Sequence, residues 1–169
     1  MTTESDLIAA AIALGATDIS GISSAEIDLI NDVQPLGKTH AQKLKKEIRA
    51  GGDPLGAAFS IIRNADQRRE SGATYTPDGI VKAMMAWAVK QPLPDRIVDP
   101  GVGSARFLCA AGRRFAKAQL LGLEVDPLAA LMARANLAAG GFADRSCIEL
   151  VDYRSPRSEF KGRTLFIGN

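Results

Sequence analysis

The chain contains 169 residues with a formal net charge of +2, and 46% of its residues are hydrophobic. This length suits one ordinary domain, or a domain with a helical extension, and the apolar content excludes an intrinsically disordered chain. A net charge this small neither requires nor excludes a nucleic-acid partner.

The sequence carries no membrane or metal signal. No apolar run reaches membrane-spanning length, and the acidic start around Glu4 lacks the basic region of a signal peptide. Cys109 and Cys147 are far apart and lack metal-ligand spacing, which predicts two reduced, apolar thiols and no metal site. We therefore expect a cytoplasmic protein without a membrane partner.

The first 71 residues are predicted to form helices separated by glycine-containing breaks. The stretch ESDLIAAAIALG has an apolar face and ends at Gly15. Ser23 and Glu26 have the spacing of a capping box at the start of a second helix. A lysine-rich helix follows, and Asp53 with Pro54 then marks the start of another.

From Gly72 onward, helices alternate with short apolar strands. Thr76 and Pro77 predict the start of a helix whose core-facing side chains are Ile80, Val81, Met84, Trp87 and Ala88. The strands that follow contain IVD, QLLGLEV, CIELV and TLFIG, with helices between them. This alternation predicts βαβ units and a parallel sheet, an α/β fold. We divide the chain into a helical N-terminal segment, 1–71, and an α/β part, 72–169.

A glycine-containing turn follows the first of these strands, beginning at Asp99 and Pro100. Gly101 and Gly103 allow the backbone to turn tightly and to approach a ligand, and Ala105 allows helix and strand to pack closely. Ligands of open parallel sheets bind where strands end, which makes this turn a candidate binding loop. A Gly-x-Gly pattern alone is equally consistent with a structural turn or with the dinucleotide site of a dehydrogenase.

Acidic residues follow the next two strands. Glu124 lies 25 residues after Asp99, at the end of the second strand, where a carboxylate can accept hydrogen bonds from ribose hydroxyls. This predicts a nucleoside-containing ligand and leaves NAD and S-adenosylmethionine open. Asp152 and Tyr153 follow the third strand. The carboxylate of Asp152 can accept a hydrogen bond from an exocyclic adenine amine, and the ring of Tyr153 can pack on a purine face. Asp126 is assigned to helix capping, because Pro127 follows it.

Taken together, these motifs resemble the class I S-adenosylmethionine-dependent methyltransferases, and more narrowly the N6-adenine DNA methyltransferases of restriction–modification systems. The resemblance covers about residues 53–169. DPGVGSARF is similar to the family's DPACGSGxF loop, GLEVDP to its GxEIDP strand, and GATYTP to its GxFYTP segment. The chain departs from the first motif at Gly101-Val102, where the family has Ala-Cys, and at Ala105, where it has Gly.

The resemblance implies a role for each matching residue. The loop cradles the methionine end of the cofactor, Glu124 binds its ribose, Val125 packs on its adenine, and VDY binds the adenine. The implied cofactor-binding residues are Tyr75, Thr76, Pro77, Asp99, Pro100, Gly101, Gly103, Glu124, Val125, Asp152 and Tyr153. The implied fold is a Rossmann-like parallel sheet with strand order 3-2-1-4, preceded by a helical segment.

The last residue corresponds to the first residue of the family's catalytic NPPY motif. Asn169 is thereby implied as the catalytic acceptor that holds a hydrogen of the target amine, while Pro-Pro-Tyr is absent. We therefore expect a truncated, cofactor-binding portion of an adenine-N6 DNA methyltransferase, with little or no methyl transfer by itself. Its implied partners are DNA, through the full-length enzyme, and a C-terminal half or specificity subunit.

Two other functions stay open. A non-catalytic remnant or interaction module would bind cofactor or a partner chain without turnover. A methyltransferase with the same chemistry acting on RNA or on a protein glutamine is the other alternative, although the YTP segment counts against it.

Overall fold

The computed structural model describes residues 1–63, 76–155 and 162–168, and the statements below concern these residues. Their strands form one parallel sheet with the order β3-β2-β1-β4. The strands are β1 (Arg96–Asp99), β2 (Gln119–Glu124), β3 (Ser146–Leu150) and β4 (Thr164–Phe166). The predicted α/β fold and its strand order are confirmed.

The helices lie where the sequence predicts them, with small shifts at their ends. They are α1 (Glu4–Ala13), α2 (Ser24–Ile30), α3 (Lys38–Arg49), α4 (Pro54–Ile62), α5 (Asp78–Ala88), α6 (Arg106–Arg114) and α7 (Pro127–Gly140). The capping box of Ser23 and Glu26 is present, and Asp53 and Asp126 cap α4 and α7. None of these helices combines the length and the apolar character needed to cross a membrane.

Helix α7 is the central element, because it separates two apolar cores. One core lies between the sheet and the helices, where Ile97, Leu120 and Leu137 are buried. The second lies on the other side of α7, where Leu7 of α1 and Leu131 of α7 belong to one buried cluster with residues of α3 and α4. A helix buried on most of its circumference is apolar nearly all round, which explains the sequence LAALMARANLAAG.

The N-terminal helices therefore form an additional layer over α7. The boundary that we predicted between residues 71 and 72 lies outside the described residues and stays a prediction.

A buried ion pair fastens this layer to the sheet. The side chains of Arg134 in α7 and Glu26 in α2 are both fully buried, and Arg134 Nε lies 2.5 Å from Glu26 Oε1. The same guanidinium donates to the backbone oxygens of Ile19, Ser20 and Ile148 at 2.8–2.9 Å. The sequence assigned Glu26 only to the capping box, so this second role was missed.

Helix α5 differs from its prediction in two ways. It begins at Asp78 with Pro77 as the capping residue, one position later than predicted. Its buried side chains are Val81, Met85 and Ala88, while Ile80 and Trp87 are 49% and 56% exposed. The placement of Ile80 and Trp87 in the core was therefore wrong. The stripe that packs inward recurs at intervals of four and three residues, and Trp87 is rotated away from it.

Candidate functional site

The predicted site residues meet at the carboxyl edge of the sheet, because β1, β2 and β3 are parallel neighbours that end there. Asp99 closes β1, Glu124 closes β2, and Asp152 follows β3. Backbone hydrogen bonds join the loops beyond the strands: Val102 N donates to Leu123 O at 2.9 Å, and Val151 N donates to the Glu124 carbonyl at 2.7 Å.

The glycine loop turns into α6 through two left-handed residues. Gly103 has φ +51°, and Ala105 has φ +65° and ψ +31°. Ala105 is the only residue other than glycine with positive φ in the described part of the chain, and it is completely buried. A Cβ placed on Gly103 would have no neighbouring atom within 4 Å. The loop therefore presents open backbone on one side and a strained, packed residue on the other.

Glu124 joins the glycine loop to the turn that follows β2. Its Oε2 accepts from Gly103 N at 2.9 Å, and its Oε1 accepts from Val125 N at 2.8 Å and Asp126 N at 3.1 Å. A carboxylate has about four acceptor positions, of which these three donors occupy three. One position is left for a hydroxyl of a ligand.

Asp99 is a buried carboxyl group with incomplete hydrogen bonding. It is 1% exposed, and no described residue donates to its Oδ2. Burial raises the pKa of Asp99 to about 7, with a smaller lowering contribution from the Gly101 N–H and a raising one from the Glu124 charge. A Cβ on Gly168 would lie 2.5 Å from Asp99 Oδ1, so this close approach requires glycine.

Asp152 is engaged by a neighbour that the sequence analysis did not consider. Arg154 donates to it from its backbone N at 2.9 Å and from its guanidinium at 2.5–3.1 Å. The hydrogen bonds from the Arg154 side chain, and then from its backbone, lower the pKa of Asp152 to about 2. The carboxyl group of Asp152 is thus expected to stay ionised at a pH where an ordinary aspartate begins to take up a proton. Beside it, Tyr153 is 62% exposed, and Val125 after β2 is 54% exposed.

The remaining predicted residues are placed unevenly. Pro100 is half-buried and Gly101 is exposed on the loop, Thr76 is buried, and Pro77 is exposed at the start of α5. Tyr75 and Asn169 lie outside the described residues.

Arg63, at the C-terminal end of α4, is a second residue whose contacts the sequence analysis did not predict. Its guanidinium pairs with Asp126 at the start of α7 and with Glu4 of α1. The capping role predicted for Asp126 is present, since its Oδ1 accepts from Leu128 N at 2.9 Å.

With this geometry established, comparison with known proteins gives a family. The model of the N-6 DNA methylase family matches residues 52–152. The chain belongs to this family. The predicted membership of the N6-adenine DNA methyltransferases is confirmed.

Two related proteins are much longer than this chain, which matches only part of each. The type II methyltransferase M.XamI of Xanthomonas campestris pv. amaranthicola is 42% identical over 180 residues, which cover the whole chain and 32% of that protein. A tRNA1(Val) (adenine(37)-N6)-methyltransferase of Porphyromonas gingivalis is 39% identical over 74 residues, covering 42% of the chain and 28% of that protein. The chain thus spans about a third of the length of the curated relatives that it matches.

Solved structures overlap with the chain in part. An RNA methyltransferase from Salinibacter ruber in complex with S-adenosyl-L-homocysteine has a TM-score of 0.41 and 29% identity, over 47% of this chain and 51% of that one. A type I restriction–modification methyltransferase subunit from Streptococcus thermophilus has a TM-score of 0.48 and 22% identity, over 69% of this chain and 28% of that one.

Proposed function

We propose that this chain is the cofactor-binding part of an S-adenosylmethionine-dependent methyltransferase that modifies adenine N6 in the DNA of a restriction–modification system. Membership of the N-6 DNA methylase family and 42% identity to a type II methyltransferase support the reaction and the acceptor. The activity of the whole protein is part of the proposal, because the chain matches about a third of that relative.

The observation that carries the proposal is the hydrogen bond between Gly103 N and Glu124 Oε2 at 2.9 Å. It brings a loop with open backbone next to a carboxylate that retains one acceptor position, an arrangement that fits a nucleoside with an attached small polar group. The Oδ2 of Asp99 beneath the loop, to which no described residue is hydrogen-bonded, adds a buried polar atom to the same place. The residues present therefore fit this cofactor.

Each site residue then has a defined task. Glu124 would accept from one ribose hydroxyl, Gly101 and Gly103 would let the backbone approach the methionine end, and Val125 would pack on the adenine. Asp152 and Tyr153 would contact the adenine, Tyr75, Thr76 and Pro77 would contact the cofactor, and Asp99 and Pro100 would shape the loop. When bound, S-adenosylmethionine supplies an electrophilic methyl group carried on a sulfonium.

Asn169 is proposed as the catalytic acceptor. An aromatic amine is a poor nucleophile because its lone pair is delocalised into the ring. A side-chain oxygen that accepts a hydrogen bond from the amine turns the nitrogen lone pair out of conjugation with the ring and toward the methyl group. The target adenine would have to leave the base stack to reach this position.

Calorimetric titration with S-adenosylmethionine and S-adenosylhomocysteine tests the cofactor site. We expect saturable binding by the wild-type chain and at least about tenfold weaker binding by Glu124→Ala, because the ribose loses its acceptor. Glu47→Ala, which removes an exposed carboxylate of α3, is the matched control and should bind like wild type. Folded wild-type protein that binds neither ligand at millimolar concentration would contradict the proposal.

RNA is a second candidate acceptor, favoured by one observation. A 74-residue segment of the chain is 39% identical to a tRNA adenine-N6 methyltransferase, so this segment does not distinguish DNA from RNA. Transfer of labelled methyl groups to DNA and to tRNA, measured side by side, decides between the acceptors. Cofactor binding with no transfer to either one would instead favour a non-catalytic module.

A further inference from the structure

Three polar side chains from three separate elements meet beneath the glycine loop. Asp53 caps α4, Ser104 belongs to the loop, and Asn136 lies in the middle of α7. Ser104 Oγ donates to Asp53 Oδ2 at 2.5 Å, and Asn136 Nδ2 donates to Asp53 Oδ1 at 3.0 Å. Asn136 Nδ2 also donates to the backbone oxygen of Ser104 at 2.8 Å. Ser104 is therefore held at both its side chain and its carbonyl.

The packing around this cluster allows little else. A Cβ on Gly56 would lie 2.2 Å from Asp53 Oδ2 and 2.7 Å from Ser104 Oγ, so glycine is needed where α4 passes the contact. Asn136 is 2% exposed, and Arg134 is the only other polar residue of α7. A buried amide is costly unless it is hydrogen-bonded; Asn136 Nδ2 has two acceptors, while no described residue donates to its Oδ1. A capping residue needs only its own helix. Asp53 accepts from Gly56 N at 2.9 Å and, in addition, from the loop.

The residue after Ser104 explains why the loop needs such support. Ala105 is left-handed and provides no side-chain cap to α6, which is an unfavourable start for a helix. Strained residues of this kind persist only where the surroundings fix them. The hydrogen bond from Ala105 N to Val102 O, at 2.7 Å, holds one side of the turn. The hydrogen bonds that join Asp53 and Asn136 to Ser104, called the clamp below, hold the other side.

We propose that Asp53 and Asn136 are positioning residues for the cofactor loop, acting through Ser104 on the strained turn at Ala105. The N-terminal helical segment then forms part of the cofactor site, because it supplies Asp53. This inference rests on the proposed function, and the resemblance assigns the loop to the methionine end of the cofactor. The clamp should therefore affect that end and leave the adenosine end largely unchanged.

Two ligands separate these ends in a binding experiment. S-adenosylhomocysteine carries the amino-acid end, and 5′-methylthioadenosine lacks it. Ser104→Ala removes only the hydroxyl, while Asp53→Ser keeps a residue that can cap α4 but is too short to hold both partners. We expect each variant to bind S-adenosylhomocysteine about tenfold more weakly, with less than about a threefold change for methylthioadenosine. The double variant should bind no more weakly than the weaker single variant, because both substitutions disrupt the same hydrogen bond between Ser104 and Asp53.

A matched control separates positioning from general stability. Ser23→Ala removes the cap of α2 and a hydrogen bond to Glu26, and Ser23 has no hydrogen bond to the glycine loop. It should lower Tm by at least a few degrees, so that it matches or exceeds the stability loss of Asp53→Ser. It should leave both affinities unchanged. Wild-type affinity for S-adenosylhomocysteine in Ser104→Ala and Asp53→Ser, or an equal loss for both ligands, would overturn the inference.

A ligand-free measurement keeps this inference separate from the proposed function. Amide hydrogen exchange at Ala105 should become at least about tenfold faster in Ser104→Ala, while exchange at Leu137 in α7 should change little. Unchanged exchange at Ala105 would contradict the clamp whatever the ligand does. Faster exchange at Ala105 in Ser104→Ala, together with a wild-type protein that binds no ligand, would support the clamp and count against the proposed cofactor.

Discussion

The carboxyl edge of the sheet and the interface between α7 and the N-terminal helices treat buried charge in opposite ways. At the interface, Arg134 and Glu26 are completely buried, and the guanidinium donates from all three of its nitrogens. At the edge, Asp99 is almost as deeply buried, yet no described residue donates to its Oδ2. Buried charge that serves only stability is normally paired. The incomplete pairing of Asp99 therefore marks the edge, and not the interface, as the place for a ligand.

The largest effect should follow from breaking the pair at the interface. Arg134→Ala leaves Glu26 buried without its cation and removes the bonds that hold Ile19 and Ser20 against β3. We expect a loss of about 3–5 kcal/mol in the free energy of unfolding, measured by urea denaturation. The double variant Arg134→Met, Glu26→Leu, which buries no charge, should recover the part of this loss that comes from the unpaired Glu26 carboxylate. Equal destabilisation of both variants would show that the pair itself contributes little.

Asp99→Asn should have an effect on stability whose size depends on pH. The pKa of Asp99 is raised from 3.8 to about 7 in the folded chain, so the folded state holds this proton more tightly than the unfolded state. The stability contributed by Asp99 is complete below about pH 4 and falls by about 1.4 kcal/mol per pH unit as the pH rises to about 7. Above that it is constant.

Asparagine does not titrate, so the stability of Asp99→Asn relative to wild type should increase between about pH 4 and 7 and then level off. Urea denaturation of both proteins across this range measures the difference, and the other titrating groups are common to both. A difference that does not depend on pH would mean that Asp99 keeps an ordinary pKa.

The same comparison explains which features could be predicted from the sequence. The edge is built from short contiguous motifs, so Asp99, Gly103 and Glu124 were predicted from local patterns, and the strand order was implied by the family that these motifs resemble. The interface depends on contacts between residues far apart in the chain, such as Glu26 and Arg134, which one sequence does not pair. A signal was nevertheless present: Arg134 and Asn136 are the polar residues of an otherwise apolar helix. Each buried polar side chain of this kind requires a partner elsewhere.

The prediction of which α5 side chains face the core was wrong for a different reason. Trp87 was placed in the core because apolar residues surround it in sequence, but the inward stripe is Val81, Met85 and Ala88. Hydrophobic spacing admits more than one helix face when several neighbouring positions are apolar, and tertiary packing selects among them. The roles of all the predicted site residues, Tyr75 and Asn169 among them, stay predictions.

The smallest effect concerns Asp152 at the exposed end of the sheet edge, where a neighbouring side chain, and not burial, shifts the pKa of the carboxyl group. Arg154→Ala removes the guanidinium that keeps the pKa of Asp152 at about 2, so the carboxyl should titrate closer to its ordinary value of 3.8. In carboxyl-carbon NMR between pH 3 and 6, Asp152 should titrate in the variant and stay ionised in wild type. Lys90→Ala, which removes an exposed cation on another part of the surface, is the control.

Because Arg154 also occupies acceptor positions of Asp152, its removal should tighten S-adenosylhomocysteine binding by about twofold to threefold if adenine uses that carboxylate. Unchanged or weaker binding, with the NMR shift observed, would move adenine recognition away from Asp152 and leave it to Val125 and Tyr153.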